Sequence, residues 1–185
     1  MIKTLIKKSK EMAKNRRGSA AVEFAMLIGP FIFMIFALLE IMIIFLMQTT
    51  LEAATASEAR KIRTGQAQNI SAPITQTQFK TNVCAKLHGL ADCTNRLFVM
   101  VESFATPPAG LGSPWADNDL VIGSAADEPW QTSIAGDMVV VRTYYVWPLF
   151  APGVTNALSN FSNGTFGSNN RILVATSAFR NEPFE

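Results

Sequence analysis

The chain has one histidine and two cysteines among 185 residues, and these scarcities restrict its chemistry. His88 is the sole histidine, so there is no HExxH metal helix, and no phosphate loop of the GxxxxGK[ST] type or GxSxG elbow is present. The chain is therefore expected not to be an enzyme, to need no cofactor and to take no small-molecule substrate. The acid pairs Asp117 with Asp119, and Asp127 with Glu128, fall in loop-like sequence and read as solvated groups. No internal repeat is visible. Charge is also scarce in one long segment. Phe24 to Met47 is a run of 24 residues broken only by Gly29-Pro30 and Glu40.

A helix of that length reaches about 36 Å, enough to cross a bilayer core of about 30 Å with some tilt. The run exceeds the usual signal-peptide core of about 7–15 residues, and no small-residue cleavage site follows it. The punctuation lies in front of it instead, at Arg16-Arg17-Gly18-Ser19-Ala20-Ala21-Val22-Glu23. A cut there leaves the membrane helix in the product.

The net charge of +2 conceals an asymmetry. Met1–Gly18 carries seven basic residues against Glu11, a leader of +6. Basic flanks favour the cytoplasmic side, so residues 1–18 read as a cytoplasmic leader and the C-terminal part as extracytoplasmic. A nucleic-acid arm is the other reading of such a leader, but a charged flank beside an apolar span explains it more simply.

Residues 19–64 read as a transmembrane helix with an extracytoplasmic extension. Gln48–Thr64 is Ala-rich and free of Pro and Gly, with Leu51, Ala54 and Ile62 near one face. Arg60, Lys61 and Arg63 fall in the last turn, and Gly65 can stop the helix. A membrane helix followed by a separate juxtamembrane helix fits equally well. Residues 65–185 read as a periplasmic α+β domain. It has a helix over Gln76–His88, with Thr75 and Gln78 as a capping box, and a small, mostly antiparallel sheet. The strands are expected at Arg96–Phe104, Asp137–Trp147 and Arg171–Arg180, with a weaker one at Asn118–Ile122. Val154, Ala157, Leu158 and Phe161 suggest a short helix. Ala105–Gly136 and Ser162–Asn170 read mostly as loops.

Glu23 is the sharpest single residue, because a carboxylate at the mouth of an apolar helix usually marks a partner. If the chain is cut after Gly18, Ser19 becomes the first residue and Glu23 lies one helical turn away. The new α-ammonium is then its natural counter-ion, in its own chain or a neighbour's. An interfacial Glu facing water is the plainer reading. Glu40, within the apolar run, reads as protonated or as meeting a partner helix. Gly29-Pro30 should kink or loosen the helix. Cys84 and Cys93 are expected to form a disulfide in an oxidising compartment. Their rival use is a metal site with His88 and Asp92, or a Cys-His pair in a membrane-tethered enzyme. Asn69-Ile70-Ser71, Asn160-Phe161-Ser162 and Asn163-Gly164-Thr165 match the glycosylation triplet, which Asn- and Ser-rich loops produce by chance.

Gly18-Ser19-Ala20-Ala21-Val22-Glu23-Phe24, followed by an apolar helix with Gly29-Pro30 and Glu40, resembles the TadE-like pseudopilins of the tight-adherence (Tad, Flp-type) pilus system. The resemblance continues through Cys84 and Cys93, Tyr144-Tyr145-Val146-Trp147-Pro148-Leu149, and the closing Ala178 to Phe184. Only the first motif is specific by itself. The resemblance implies a single-pass bacterial inner-membrane protein, cut after Gly18 by a dedicated prepilin peptidase. It implies a minor pilus subunit or assembly factor that works with other pilins in adhesion and biofilm formation. Ser19 in place of an aromatic after the cut, and no cysteine pair near the C-terminus, favour the Tad branch over the wider type IV pilins. The alternative function is a signal-anchored periplasmic binding or structural domain that is never processed.

Overall fold

The computed structural model describes residues 16–68, 73–110, 128–131, 133–151 and 155–183. Asp117, Asp119, Asp127, the Asn118–Ile122 segment, the Asn69 triplet, Val154, Phe184 and the leader before Arg16 lie outside the described residues. The chain divides into two compact units between Glu40 and Ile41. The first helix, α1 (Arg16–Arg63), contributes to both and is one uninterrupted helix. It is long and apolar enough to cross a membrane, judged by length and composition. Arg60, Lys61 and Arg63 occupy its last turn, where cations oppose the negative helix end. Gly65, at φ 74°, takes the left-handed turn that stops it.

In the second unit the C-terminal part of α1 is not a mere spacer. Met47, Leu51, Ala54, Ala59 and Ile62 are buried in one apolar cluster with residues of the sheet. Leu51, Ala54, Ala59 and Ile62 lie in the stretch that the sequence marks as the extracytoplasmic extension of the helix. A 3-10 turn (Gln66–Gln68) leads towards α2 (Gln76–Lys86). The Thr75 side chain accepts from the Gln78 backbone N–H, and the Gln78 side chain accepts from the Thr75 N–H, which closes the capping box. Helix α2 ends at Lys86, two residues before the expected His88, because His88 turns to φ 51° and Gly89 to φ 75°. A single turn, α3 (Cys93–Arg96), is started by Asp92, whose Oδ1 accepts from Thr94 and Asn95.

The strands are β1 (Leu97–Phe104), β2 (Met138–Pro148), β3 (Phe161–Asn163) and β4 (Gly167–Arg180), all antiparallel in the order β1-β2-β4-β3. A short helix, α4 (Thr155–Leu158), precedes β3. Strand alternation gives the sheet two apolar faces. Val99, Val101, Val139, Val141, Tyr145, Leu173 and Ala175 lie in the cluster with α1 and α2. Phe98, Met100, Tyr144, Val146, Phe161 and Ile172 form a second cluster, with the Phe98 and Tyr144 rings stacked at 5.1 Å. The architecture is α+β with a long N-terminal apolar helix.

Three sequence expectations need correcting here. Ser162–Asn170 is not mainly loop: β3 and the first four residues of β4 form a hairpin, with Gly167 at φ 81°. Phe161 belongs to that hairpin rather than to a helix, and is 3% exposed. The polar composition misleads because Asn side chains work as backbone partners. Asn170 donates to the Phe166 and Gly167 carbonyls, and the Asn160 carboxamide oxygen accepts from the Ile172 N–H. Glu128 is not solvated either. It is buried, accepts from the Val99 N–H at 3.1 Å and pairs with Lys80 at 2.6 Å. A buried carboxylate needs such partners, and Lys80 supplies the charge.

Candidate processing and assembly site

The candidate site lies along the first turns of α1. Gly18 and Ser19 are both helical, so their peptide bond sits inside regular structure rather than in an extended strand. Glycine weakens a helix by about 1 kcal/mol relative to alanine, which eases the local unwinding that a peptidase needs. A Cβ built on Gly18 would meet nothing within 4 Å. Among the described residues, therefore, nothing opposes a side chain at Gly18.

Glu23 stands one turn beyond Ser19, a rise of about 6 Å. It is exposed, and it is not without an interaction partner. Its neighbours are strongly exposed apolar side chains, with Val22 at 55%, Phe24 at 65%, Met26 at 72% and Leu27 at 73%. A carboxylate in such company becomes a strong docking determinant once lipid or another helix covers those side chains, because an uncompensated charge is then expensive. Exposure on every side of Phe31–Leu39 suits lipid or packed helices.

Gly29 and Pro30, where a kink or loosening is expected, lie within α1, which continues through them. Pro30 still lacks the N–H that would bond the Met26 carbonyl. Among the described residues no atom crowds Gly29, leaving a shallow spot on the helix surface. Glu40 is fully buried at 0% exposure and has an interaction partner.

Cys84 and Cys93 are joined in a disulfide with their Cα atoms 6.0 Å apart. Both sulfurs are thus consumed, and His88 is exposed on the turn after α2. Asp92 is occupied as a helix cap. The structure therefore does not bring Cys84, His88 and Asp92 together as a metal or nucleophile set. In the chain-entropy view a closed loop this short contributes about 2–3 kcal/mol. Replacing both cysteines by serine should lower stability by about that amount, read as an earlier unfolding midpoint of the detergent-solubilised chain. An unchanged midpoint would contradict it.

Sequence reading missed one polar centre in the second unit. Glu58, on α1, is 1% exposed and pairs with Lys61 at 2.7 Å and Lys86 at 2.6 Å. The Asn82 amide donates to it as well, at 3.1 Å. Burial raises the Glu58 pKa most strongly, but the hydrogen bonds and charges of Lys61 and Lys86 together outweigh burial and hold it below the usual carboxylate range. The Glu58–Lys61 spacing was legible as a helical pair, whereas Lys86 is 28 residues away and gives no local signal. The centre locks α2, which carries the disulfide, onto α1.

A group with a depressed folded pKa stabilises fully above its unfolded value and loses that stabilisation as pH falls through the folded one. Glu58→Gln should therefore cost about 1.5–3 kcal/mol at neutral pH, the scale of charged hydrogen bonds. The difference from wild type should shrink as pH drops below about 4.3, the ordinary Glu value. Unfolding midpoints of the solubilised chain across pH would check this, and a gap that persists undiminished in acid would refute it. Tyr145 shows the opposite case: burial pushes its phenol up, against the lowering effects of the Asp92 N–H bond and Arg96.

A family model described as TadE-like protein matches residues 18–60, which contain Gly18, Ser19, Glu23, Gly29, Pro30, Glu40 and Glu58. The match begins at Gly18, omits the basic leader, and is consistent with a TadE-like protein of Tad pilus systems. No curated protein and no solved structure matches the chain.

Proposed function

We propose that this chain, with its TadE-like residues 18–60 as premise, is a minor pseudopilin or assembly subunit of a Tad-type pilus. A prepilin peptidase cleaves it between Gly18 and Ser19, and the mature chain stays anchored by α1. The basic leader favours an orientation with the N-terminus in the cytoplasm and the α+β unit in the periplasm, across the bacterial inner membrane. The partners are the peptidase and other pilins or pseudopilins, and the biological outputs are pilus biogenesis, adhesion and biofilm formation. The domain acts by binding rather than by catalysis.

The observation that carries this reading is the placement of Glu23 one turn after the Gly18–Ser19 bond, at the entrance to an exposed apolar helix. A cut there converts a leader-bearing precursor into a chain whose first ammonium and Glu23 carboxylate can be matched on assembly. The disulfide supports the compartment, since such bonds persist outside the reducing cytoplasm.

The test is genetic and biochemical. Deleting the chain in a bacterium with an intact Tad system should sharply reduce the number of surface pili, and the chain should crosslink to pilus subunits in the membrane. Normal piliation together with no subunit crosslink would instead favour an unprocessed, signal-anchored periplasmic domain.

A further inference from the structure

The two edges of the sheet are finished differently. Along β1 the outward backbone groups are met one after another. The Val99 N–H reaches Glu128 Oε1, the Val101 N–H reaches the Pro129 carbonyl, and Gln131 N–H returns a bond to the Val101 carbonyl. Gln131 Oε1 accepts from Ser103 N–H, and Gln76 Nε2 donates to the Val99 carbonyl. That edge is closed.

Strand β4 is covered only at its start. Strand β3 reaches no further than Asn170, Asn160 Oδ1 takes the Ile172 N–H, and Gln48 Nε2 reaches the Val174 carbonyl. These bonds show which residues of β4 turn their backbone away from β2: the even-numbered ones. Beyond Val174 the N–H and C=O of Thr176 and Ala178 therefore face outward, and among the described residues nothing meets them. Thr176, Ala178 and Arg180 are exposed. Val174–Arg180 contains no proline, lysine or bulge, the usual devices that protect an open edge.

We infer that Val174–Arg180 receives an extended strand from a different pilus subunit anchored in the same membrane, with a carboxylate opposite Arg180; this rests on the function proposed above. Open ladder groups call for a peptide backbone, the chemistry of strand addition. Arg180 uses Nε on the Gly136 carbonyl at 2.7 Å, and its terminal guanidinium nitrogens have no partner among the described residues. They mark the carboxylate position.

A second copy of the chain is a poor occupant for a geometric reason. Gln48 touches Val174 and Arg63 touches Glu182, so β4 runs in the same direction as α1. Two copies anchored alike in one membrane would present β4 strands side by side in parallel. A parallel ladder needs outward residues staggered by one position, whereas a two-fold axis along the strands sets equal residues level. The second copy's β1 edge is closed, and its β3 is only three residues long.

The test is amide hydrogen exchange on the full chain, alone in detergent and co-isolated with pilus subunits, together with a photo-crosslinking benzoylphenylalanine at Thr176. Alone, the Thr176 and Ala178 amides should exchange freely, while Ala175 and Ser177, which face β2, stay protected. In the complex Thr176 and Ala178 should slow by about 100-fold or more. The crosslink should map to an extended segment of another anchored subunit, with Asp or Glu near the Arg180 end. Ala178→Pro removes an outward N–H that the β2 ladder does not use, so it should abolish both signals and leave Ser177 protected. Free exchange in a complex that does contain pilus subunits would overturn the edge assignment alone. A crosslink to a second copy of this chain would overturn the choice of occupant. No co-isolation with any pilus subunit would overturn the functional reading, and this inference with it.

Discussion

Glu23→Gln should leave the chain membrane-inserted and open to cleavage, yet cut its incorporation with pilus subunits by about a hundredfold or more. The substitution keeps size and hydrogen-bonding capacity and removes only the charge. Around Glu23 the chain offers Val22, Phe24, Met26 and Leu27, all more than half exposed. Docking against another helix therefore places the carboxylate and its α-ammonium partner in an apolar medium. Removing one member of such a pair costs about 3–5 kcal/mol, because the other charge is left uncompensated. A pair on an open surface would contribute only about 0–1 kcal/mol. Glu52→Gln is the matched control: Glu52 is exposed on the same helix and meets Gln48 of its own turn. Crosslinking to partner subunits and counts of pili give the readout. Equal assembly by wild type and Glu23→Gln would mean that the carboxylate simply faces water or headgroups.

The N-terminal site was easy to read from sequence because its signals are local and one-dimensional. A charged leader, Gly18, Glu23 and a long apolar run all lie between Met1 and Met47, and helical rise turns their spacing directly into distance. The capping box at Thr75 and Gln78 was legible for the same reason. The three long strands announced themselves through runs such as Val139-Val140-Val141.

Other features depend on contacts that sequence distance hides. Glu58 is meaningful only when Lys86 arrives from α2, and Glu128 only when the 128–131 segment lies along β1. Glu128 therefore looked like any loop acid. The β3–β4 hairpin was hidden by its composition, because Asn160 and Asn170 satisfy backbone groups there as a neighbouring strand would. The closed β1 edge and the open β4 edge have no sequence signature at all, since edges exist only after the strand order is known.

The second large effect concerns the Gly18–Ser19 bond. Because a Cβ at Gly18 would meet nothing among the described residues, Gly18→Leu should fold and insert normally. Its branched side chain should nevertheless fail to fit a peptidase built for glycine, so that precursor accumulates almost entirely. Gly18→Ala should be processed more slowly than so small a change suggests, since alanine also stiffens the helix that must unwind, by about 1 kcal/mol. The most direct measurement is the intact mass and N-terminal sequence of the chain extracted from membranes of cells with a working pilus system. A mature protein beginning at Ser19, together with full-length Gly18→Leu precursor, is the predicted result. A wild-type chain that still begins at Met1 in those membranes would contradict the account.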